Sequence, residues 1–543
     1  MPFPNSATRD STSHLLASRS AGLLAAIAAA AILTFTGSAA LAREASASSM
    51  LRSGVSSGSA SAPKTSWPKP VSTEHTIMIG GKELRFNPTA GYITLRNSET
   101  LKPIADIAYQ AFTLKDRNAA TRPVTFAFNG GPGYASAWLN LGALGPWRLN
   151  MDAAGAVPSA PPRLTDNQES WLPFTDLVFI DPAGTGFGRL HDKEARSSLW
   201  SIDGDINSLA TTIRRWVQDN GRTASPKYLL GESYGGFRVP KIAHELQTDQ
   251  GLGVNGLIMV SPVLDFARRR SSGPLSHAAP LPSMAATAIA SRAGSGPVTR
   301  EDVAGVEDFA RSAFLVDMVR GRSDPDAVKR LVERVTEITG LERSIVARHA
   351  GRISTSTFIR EIYRAKGQVP SIYDGLVAGL DPDRYSKDNE AEDQMRLGLH
   401  APIVQAMTGM YRDKLKWVYP DGRYMFQNKQ AGRAWKWGRR SPEAVSALAS
   451  TMALDPNMKV LVVHGLTDLA TPYFETRMVL DDMAPIGKTP ENKGGGLSAA
   501  TAKNRIKFQV YRGGHMFYSL DTSRKAFRDD GRAVIDAGKE PKG

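Results

Sequence analysis

The 543-residue chain contains no cysteine. That absence excludes disulfides, thiolate metal sites, a cysteine nucleophile and a lipidated cysteine anchor. Beyond the first few dozen residues it also lacks any apolar run near the roughly 20 residues that cross a bilayer as a helix. No internal repeat is present, which argues against a solenoid or propeller. Acidic residues are outnumbered, 53 against 67 basic ones, giving a formal charge of +14. The basic residues are dispersed, with Arg268-Arg269-Arg270 the densest run. They are read as a solvated basic surface, and no nucleic-acid partner is expected.

What is present begins with a leader. Arg9 and Arg19 precede an apolar stretch from Leu23 to Phe35, and Ala40-Leu41-Ala42 forms an A-x-A cleavage site. Residues 1–42 therefore read as an export signal too short for a membrane span. Removing Arg9, Asp10 and Arg19 with it leaves +13 on a mature chain starting near Arg43. That chain is expected to be periplasmic or secreted, with no integral membrane association after cleavage. Export without disulfides, on a core large enough to do without them, points to a bacterial cell. Residues 43–72, rich in Ser, Ala, Pro and Lys, are read as a disordered leader.

Short alternating stretches follow, His75 to Ile79 and Gly91 to Leu95, separated by Gly-Gly and Asn-Pro. They predict antiparallel strands at a sheet edge. Brief apolar runs then recur: Val124 to Phe128, Leu177 to Ile180, Tyr228 to Leu230, Leu257 to Val260, Val460 to Val463 and Ile506 to Val510. Such runs fit strands buried on both faces of a mostly parallel sheet. Between them, Ile206, Leu209, Ile213, Trp216 and Val217 share one helix face. The alternation predicts an α/β fold, with a core over residues 73–265 and 456–543. Residues 266–455 interrupt it with mainly helical patterns, such as Asp302 to Val319 and Pro325 to Thr339, and are read as an inserted cap domain over the carboxyl ends of the strands.

Gly231-Glu232-Ser233-Tyr234-Gly235 matches G-x-S-x-G between a predicted strand and a predicted helix from Val239 to Gln247. This is the strand-turn-helix setting in which a serine hydroxyl is lifted clear of its backbone, so Ser233 is the candidate nucleophile. Serine needs a base for its proton and a carboxylate to hold that base in the right tautomer. His244, His277, His349, His400, His464 and His515 follow Ser233, and of these His515 lies in a glycine-flanked loop after a late strand. Asp468 stands just past the strand Val460 to Val463, and the order Ser233, Asp468, His515 matches the α/β-hydrolase order. His464 is read as structural. Asn129-Gly130-Gly131-Pro132-Gly133 follows another strand; the backbone N–H groups of Gly131 and Tyr234 form the candidate oxyanion hole. This turn carries neither a Walker lysine nor a dinucleotide-binding glycine pattern. No metal and no organic cofactor is expected.

Taken in order, Asn129-Gly-Gly-Pro-Gly133, Asn167 with Ser170-Trp171, Asp181-Pro-Ala-Gly-Thr-Gly-Phe187, Gly231-Glu-Ser-Tyr-Gly-Gly236 and the loops of Asp468 and His515 resemble the serine carboxypeptidase family. The segment from Leu281 to Ala288 looks like bacterial members. The resemblance implies an α/β-hydrolase fold with a cap, and peptide substrates with a free C-terminus. It also implies that Asn129, Gly130 and Glu232 bind the substrate's terminal carboxylate. A protonated Glu232 can donate to that carboxylate, which favours work at acidic pH. The chain departs from the family in three places. Ala143 precedes Leu144-Gly145-Pro146 where a further carboxylate-binding glutamate is usual, Tyr134-Ala135-Ser136 replaces a small cluster usually begun by cysteine, and Arg238 stands where a tyrosine is usual. A guanidinium at the pocket mouth would be able to replace the lost donor by pairing with a carboxylate.

The expected function is therefore an exported serine carboxypeptidase working through an acyl-enzyme on Ser233. An esterase or acyltransferase on the same machinery is the first alternative, favoured by Ala143. A non-catalytic envelope-binding protein is the second.

Overall fold

A computed structural model of the chain describes residues 68–115, 117–151, 157–269, 273–292, 296–420, 422–483 and 505–538. The expected export signal, and the leader as far as residue 67, lie outside the described residues. The last residues of that expected leader belong to the fold instead, because Val71 and Ser72 pair antiparallel with Ala90 and Thr89. Two paired residues carry too little pattern to be told from a linker in the sequence.

An eleven-stranded sheet organises the chain. Its main strands are β1 (Val71–Ser72), β2 (His75–Ile79), β3 (Lys82–Arg96), β4 (Pro103–Leu114), β5 (Val124–Phe128), β6 (Asp176–Ile180), β7 (Lys227–Glu232), β8 (Gly256–Val260), β9 (Lys459–Gly465) and β10 (Ile506–Tyr511). In space they run β1-β3-β4-β6-β5-β7-β8-β9-β10, with β2 also on β3 and the short Arg189–Leu190 on β4. The first four are antiparallel. From β6 to β10 every neighbour is parallel. The difference is written in the residues. Buried and half-buried positions alternate along much of β3, whereas β5, β6, β7 and β8 are buried at every position.

Each predicted apolar run falls inside one of β5 to β10. Successive residues of a strand face opposite sides. Thus Leu229 joins the cluster made with α1 (Ile202–Asp219), α2 (Tyr234–Thr248) and α3 (Val445–Leu454), while Tyr228 and Leu230 join the cluster that holds Phe527, Val534 and Ile535 of α4 (Asp521–Ala537). The predicted face of α1 is buried throughout, and Trp216 meets Phe126 edge-on at 5.5 Å. Ser201 caps that helix through its side chain, which accepts from Gly204 N. The nucleophile turn on central β7, followed by functional loops after β9 and β10, makes this an α/β-hydrolase fold.

The stretch 266–455 divides its allegiance. Helices between Pro274 and Ile362 bury Leu281, Met284, Val306, Phe314, Leu331 and Phe358 in a cluster of their own, together with Leu466, Leu469, Tyr473 and Phe474 from the segment after β9. Farther along, Met407, Tyr411, Trp417 and Phe426 pack into the cluster that holds Phe112, Trp147 and Phe187 of the hydrolase body. Trp435, Leu448 and Met452 pack beneath the sheet on its other face. Helical periodicity marks helices but not the body to which they attach. Within the first group, the single helix predicted from Asp302 to Val319 is broken at Ser312 into Ala304–Arg311 and Ala313–Arg320. Pro325–Thr339 forms as predicted, between an Asp324 cap and a left-handed Gly340.

Candidate active site

β7 ends at Glu232 and α2 begins at Tyr234, which leaves Ser233 alone in the turn at φ 62° and ψ −123°. A residue with a Cβ adopts this region only where its surroundings enforce it. They do so here by close approach. A Cβ added to Gly231 would lie 2.0 Å from Gly235 O, and one added to Gly235 would lie 2.5 Å from Phe128 O. Glycine at both positions lets the turn close against the end of β5 and present the serine.

The histidine and acid come from the ends of β10 and β9. His515 Nδ1 lies 2.8 Å from Asp468 Oδ2, and both side chains are buried. The carboxylate is held in turn. Its Oδ1 accepts from the backbone N–H groups of Ala470 and Thr471 at 2.8 and 2.9 Å, and its Oδ2 accepts from Thr471 Oγ1 at 2.7 Å. Burial works against a charged His515, yet the adjacent Asp468 carboxylate and its hydrogen bond outweigh it and hold the pKa above the usual imidazole value. An imidazole so placed accepts a proton readily and returns it. His464 is fully buried beside this loop, and burial lowers its pKa to about 4, so it stays neutral.

Ser233 and His515 line a pocket of about 270 Å³ together with Asn129, Gly130, Gly131 and Glu232. Gly131 takes φ 108° in the turn after β5, and Tyr234 opens α2. The first N–H groups of a helix have no partner within it, so Tyr234 N is free of the helix ladder beside the serine. Asn129 Nδ2 donates to Glu232 Oε1 at 3.0 Å, and Tyr518 OH donates to Glu232 Oε2. Burial raises the pKa of Glu232 to about 7, only partly offset by His515 and by these two donors. In weakly acidic solution the carboxyl is therefore largely neutral, with a proton to share with an anion.

Two expectations about the departures change. Arg238 is not at the mouth. It is fully buried in an ion pair with Asp205, Nε to Oδ2 2.6 Å, and its Nη1 donates to Asn129 O. An exposed arginine would lose nothing in water, but at this depth a guanidinium must be paired, and Asp205 on α1 supplies the charge. Its effect is to brace the turn that carries Gly131. Ala143 is also buried, in the turn Asn140–Leu144, and does not line the pocket.

Sequence reasoning missed the other wall. Tyr373 packs edge-on to His515 at 5.2 Å, and its carbonyl accepts from His515 N. Asp374 accepts from Thr467 Oγ1 at 2.7 Å in the acid loop and from Gly514 N at 3.0 Å in the histidine loop. A Cβ on Gly514 would lie 2.1 Å from Tyr373 O, which is why that loop is Gly513-Gly514-His515. Pro132, Tyr134, Trp138, Arg396, Gln427 and Met516 complete the lining. Pro132, Tyr134, Trp138 and Met516 lie in or near a recognisable motif; Tyr373, Arg396 and Gln427 come from the long insertion, far from its one motif-like segment, Leu281 to Ala288.

A serine carboxypeptidase family model matches residues 80–272. This bears out the resemblance read from the motifs, over the part of the chain that carries Asn129 to Gly133 and Ser233. Among curated proteins, serine carboxypeptidase-like 2 of Arabidopsis thaliana is 26% identical over 204 residues, which is 36% of this chain and 44% of that protein. The pheromone-processing carboxypeptidase KEX1 of Yarrowia lipolytica is 30% identical over 150 residues, 27% of this chain and 23% of that protein. The chain thus spans less than half the length of these relatives. Among solved structures, the proline iminopeptidase of Mycobacterium smegmatis aligns with 83% of this chain and 99% of its own at 12% identity and a TM-score of 0.35. Among the described residues, no helix is long and apolar enough to cross a membrane.

Proposed function

We propose that the chain is a serine carboxypeptidase that releases the last residue of a peptide through an acyl-enzyme on Ser233. The observation that carries this reading is one pocket holding a strained serine, a histidine backed by a buried aspartate, and a neutral-capable carboxyl hydrogen-bonded to an asparagine.

His515 takes the proton of Ser233 as Oγ attacks the last peptide carbonyl, and Asp468 stabilises the imidazolium. The N–H groups of Gly131 and Tyr234 receive the oxyanion. The intermediate collapses as His515 hands its proton to the leaving amine, and water then resolves the ester by the same route in reverse. Asn129, Gly130 N–H and protonated Glu232 receive the terminal carboxylate, which places the last peptide bond, and no internal one, beside Ser233. The leader read over residues 1–42 assigns this chemistry to the periplasm or the medium, and extension of the mature N-terminus into that leader would show it wrong.

The test is release of the terminal amino acid from blocked dipeptides, as free acids and as amides, by wild type and Ser233→Ala. Serine-dependent release that favours free acids supports the reading. Serine-dependent cleavage that ignores the carboxylate turns it into an esterase or amidase on the same triad. Failure of Ser233 to react with a fluorophosphonate would leave a binding protein.

A further inference from the structure

We infer that Arg396 receives the side-chain carboxylate of the residue being released, so that the pocket selects peptides ending in glutamate or aspartate. The inference rests on the carboxypeptidase reading and adds a substrate class to it.

Arg396 is the one lysine or arginine among the described residues that line the pocket. Its position is built rather than incidental. It lies on the short helix Gln394–Gly398, and its N–H donates to Asp393 Oδ1 at 3.0 Å. The same Asp393 carboxylate accepts from Ser371 Oγ at 2.9 Å and Ile372 N at 2.9 Å. Arg396 is thereby tied to the segment whose next residue, Tyr373, packs on His515.

The charges around the guanidinium leave it able to take an anion. It faces the phenols of Tyr134 and Tyr373 and the Asp393 carboxylate. Burial raises both phenol pKa values, so these groups stay neutral, and Asp393 is occupied by the helix cap. The ion pair that Arg396 makes is with Glu392 at 3.2 Å, four residues back, whose side chain is 72% exposed. Such a pair is weak in water and exchanges readily for another carboxylate. Arginine keeps its charge at every working pH and offers a planar fork of donors that a carboxylate can meet with both oxygens.

The shared lining of the pocket selects which carboxylate. One cavity of about 270 Å³ is lined both by Asn129, Gly130 and Glu232 and by Arg396. A terminal carboxylate seated on Asn129 and Glu232 leaves the side chain of the same residue as the group that reaches Arg396. One dicarboxylic residue satisfies both ends.

The test compares blocked dipeptides with the same penultimate residue and Glu, Gln or Leu at the terminus, together with one carrying Glu in the penultimate position. Wild type is expected to favour terminal Glu over Gln by about tenfold in kcat/KM, less at high salt. Arg396→Met should bring that ratio near one, Arg396→Lys should keep part of it, and Arg396→Glu should favour terminal Lys. Equal rates for terminal Glu and Gln in wild type overturn the inference while leaving the carboxypeptidase reading intact. So does a preference for Glu in the penultimate position, or a loss of free-acid over amide preference in Arg396→Met with terminal Leu. Protection of Ser233 from a fluorophosphonate by N-acetylglutamate, but not N-acetylglutamine, reads the same contact without turnover. Absence of that difference overturns the inference even if no peptide is cleaved.

Discussion

The floor and the roof of the pocket are built differently. The floor is the ends of β5 and β7, where Asn129 to Gly133 and Gly231 to Gly236 meet so closely that side chains do not fit between them. The roof is Tyr373, Arg396 and Gln427, drawn from the long insertion, with Asp374 next to Tyr373 hydrogen-bonded to the acid and histidine loops. Backbone closure leaves the floor few alternatives, so its residues form a motif, and the family match at residues 80–272 covers it. The roof lies beyond that match. On the proposed reading, acyl transfer and the grip on the terminal carboxylate belong to the floor and the loops after β9 and β10, and the choice of terminal side chain belongs to the roof.

The comparison breaks most visibly at the floor. Ser233→Ala should lower turnover by about 10⁴-fold or more and abolish fluorophosphonate labelling, read by intact mass. Asp468→Asn should cost about 10³- to 10⁴-fold in kcat, since an amide no longer enforces the Nδ1–H tautomer of His515. Residual activity near wild type in either variant would move the nucleophile or the acid elsewhere.

Smaller effects test the join between floor and roof. Asp374→Ala leaves the Thr467 hydroxyl and Gly514 N–H without their acceptor. It should lower kcat about tenfold and cost about 1–3 kcal/mol of stability in denaturant melts, because buried donors lose their partner. An unchanged kcat beside a lowered melting point would make the contact structural only. The smallest effect expected is on pH. The Tyr518 hydrogen bond favours ionised Glu232, so Tyr518→Phe should raise the carboxyl's pKa further. Activity on free acids would then persist to higher pH than in wild type, and a shift to lower pH would contradict that polarity.

Much of the floor was legible in the sequence, for a physical reason. Buried parallel strands must be apolar on both faces, so β5 to β10 stood out as short runs. A tight turn must be glycine-rich, so Ser233 and Gly131 stood out beside them. Asp468 and His515 followed from chain order. Arg238 was misplaced because burial depends on a partner, Asp205, 33 positions away, and no local pattern announces it. Tyr373, Asp374 and Arg396 were not found because they act through contacts with loops about 90 to 140 residues distant or across the cavity. The division of residues 266–455 between a helical cluster and the hydrolase body was hidden likewise, since an apolar helix face does not say what it covers.

The most direct test of the central claim is the ratio of kcat/KM for a free-acid dipeptide over its amide, followed from about pH 4 to 9 in wild type and Glu232→Gln. With the carboxyl's pKa near 7, the neutral form that donates to a substrate carboxylate is lost as pH rises through that value. The wild-type ratio should stand well above one in acid and fall above about pH 7, while in Glu232→Gln, whose amide keeps a donor and cannot ionise, that fall should vanish. A ratio near one at every pH in wild type would contradict carboxylate recognition, and with it the carboxypeptidase.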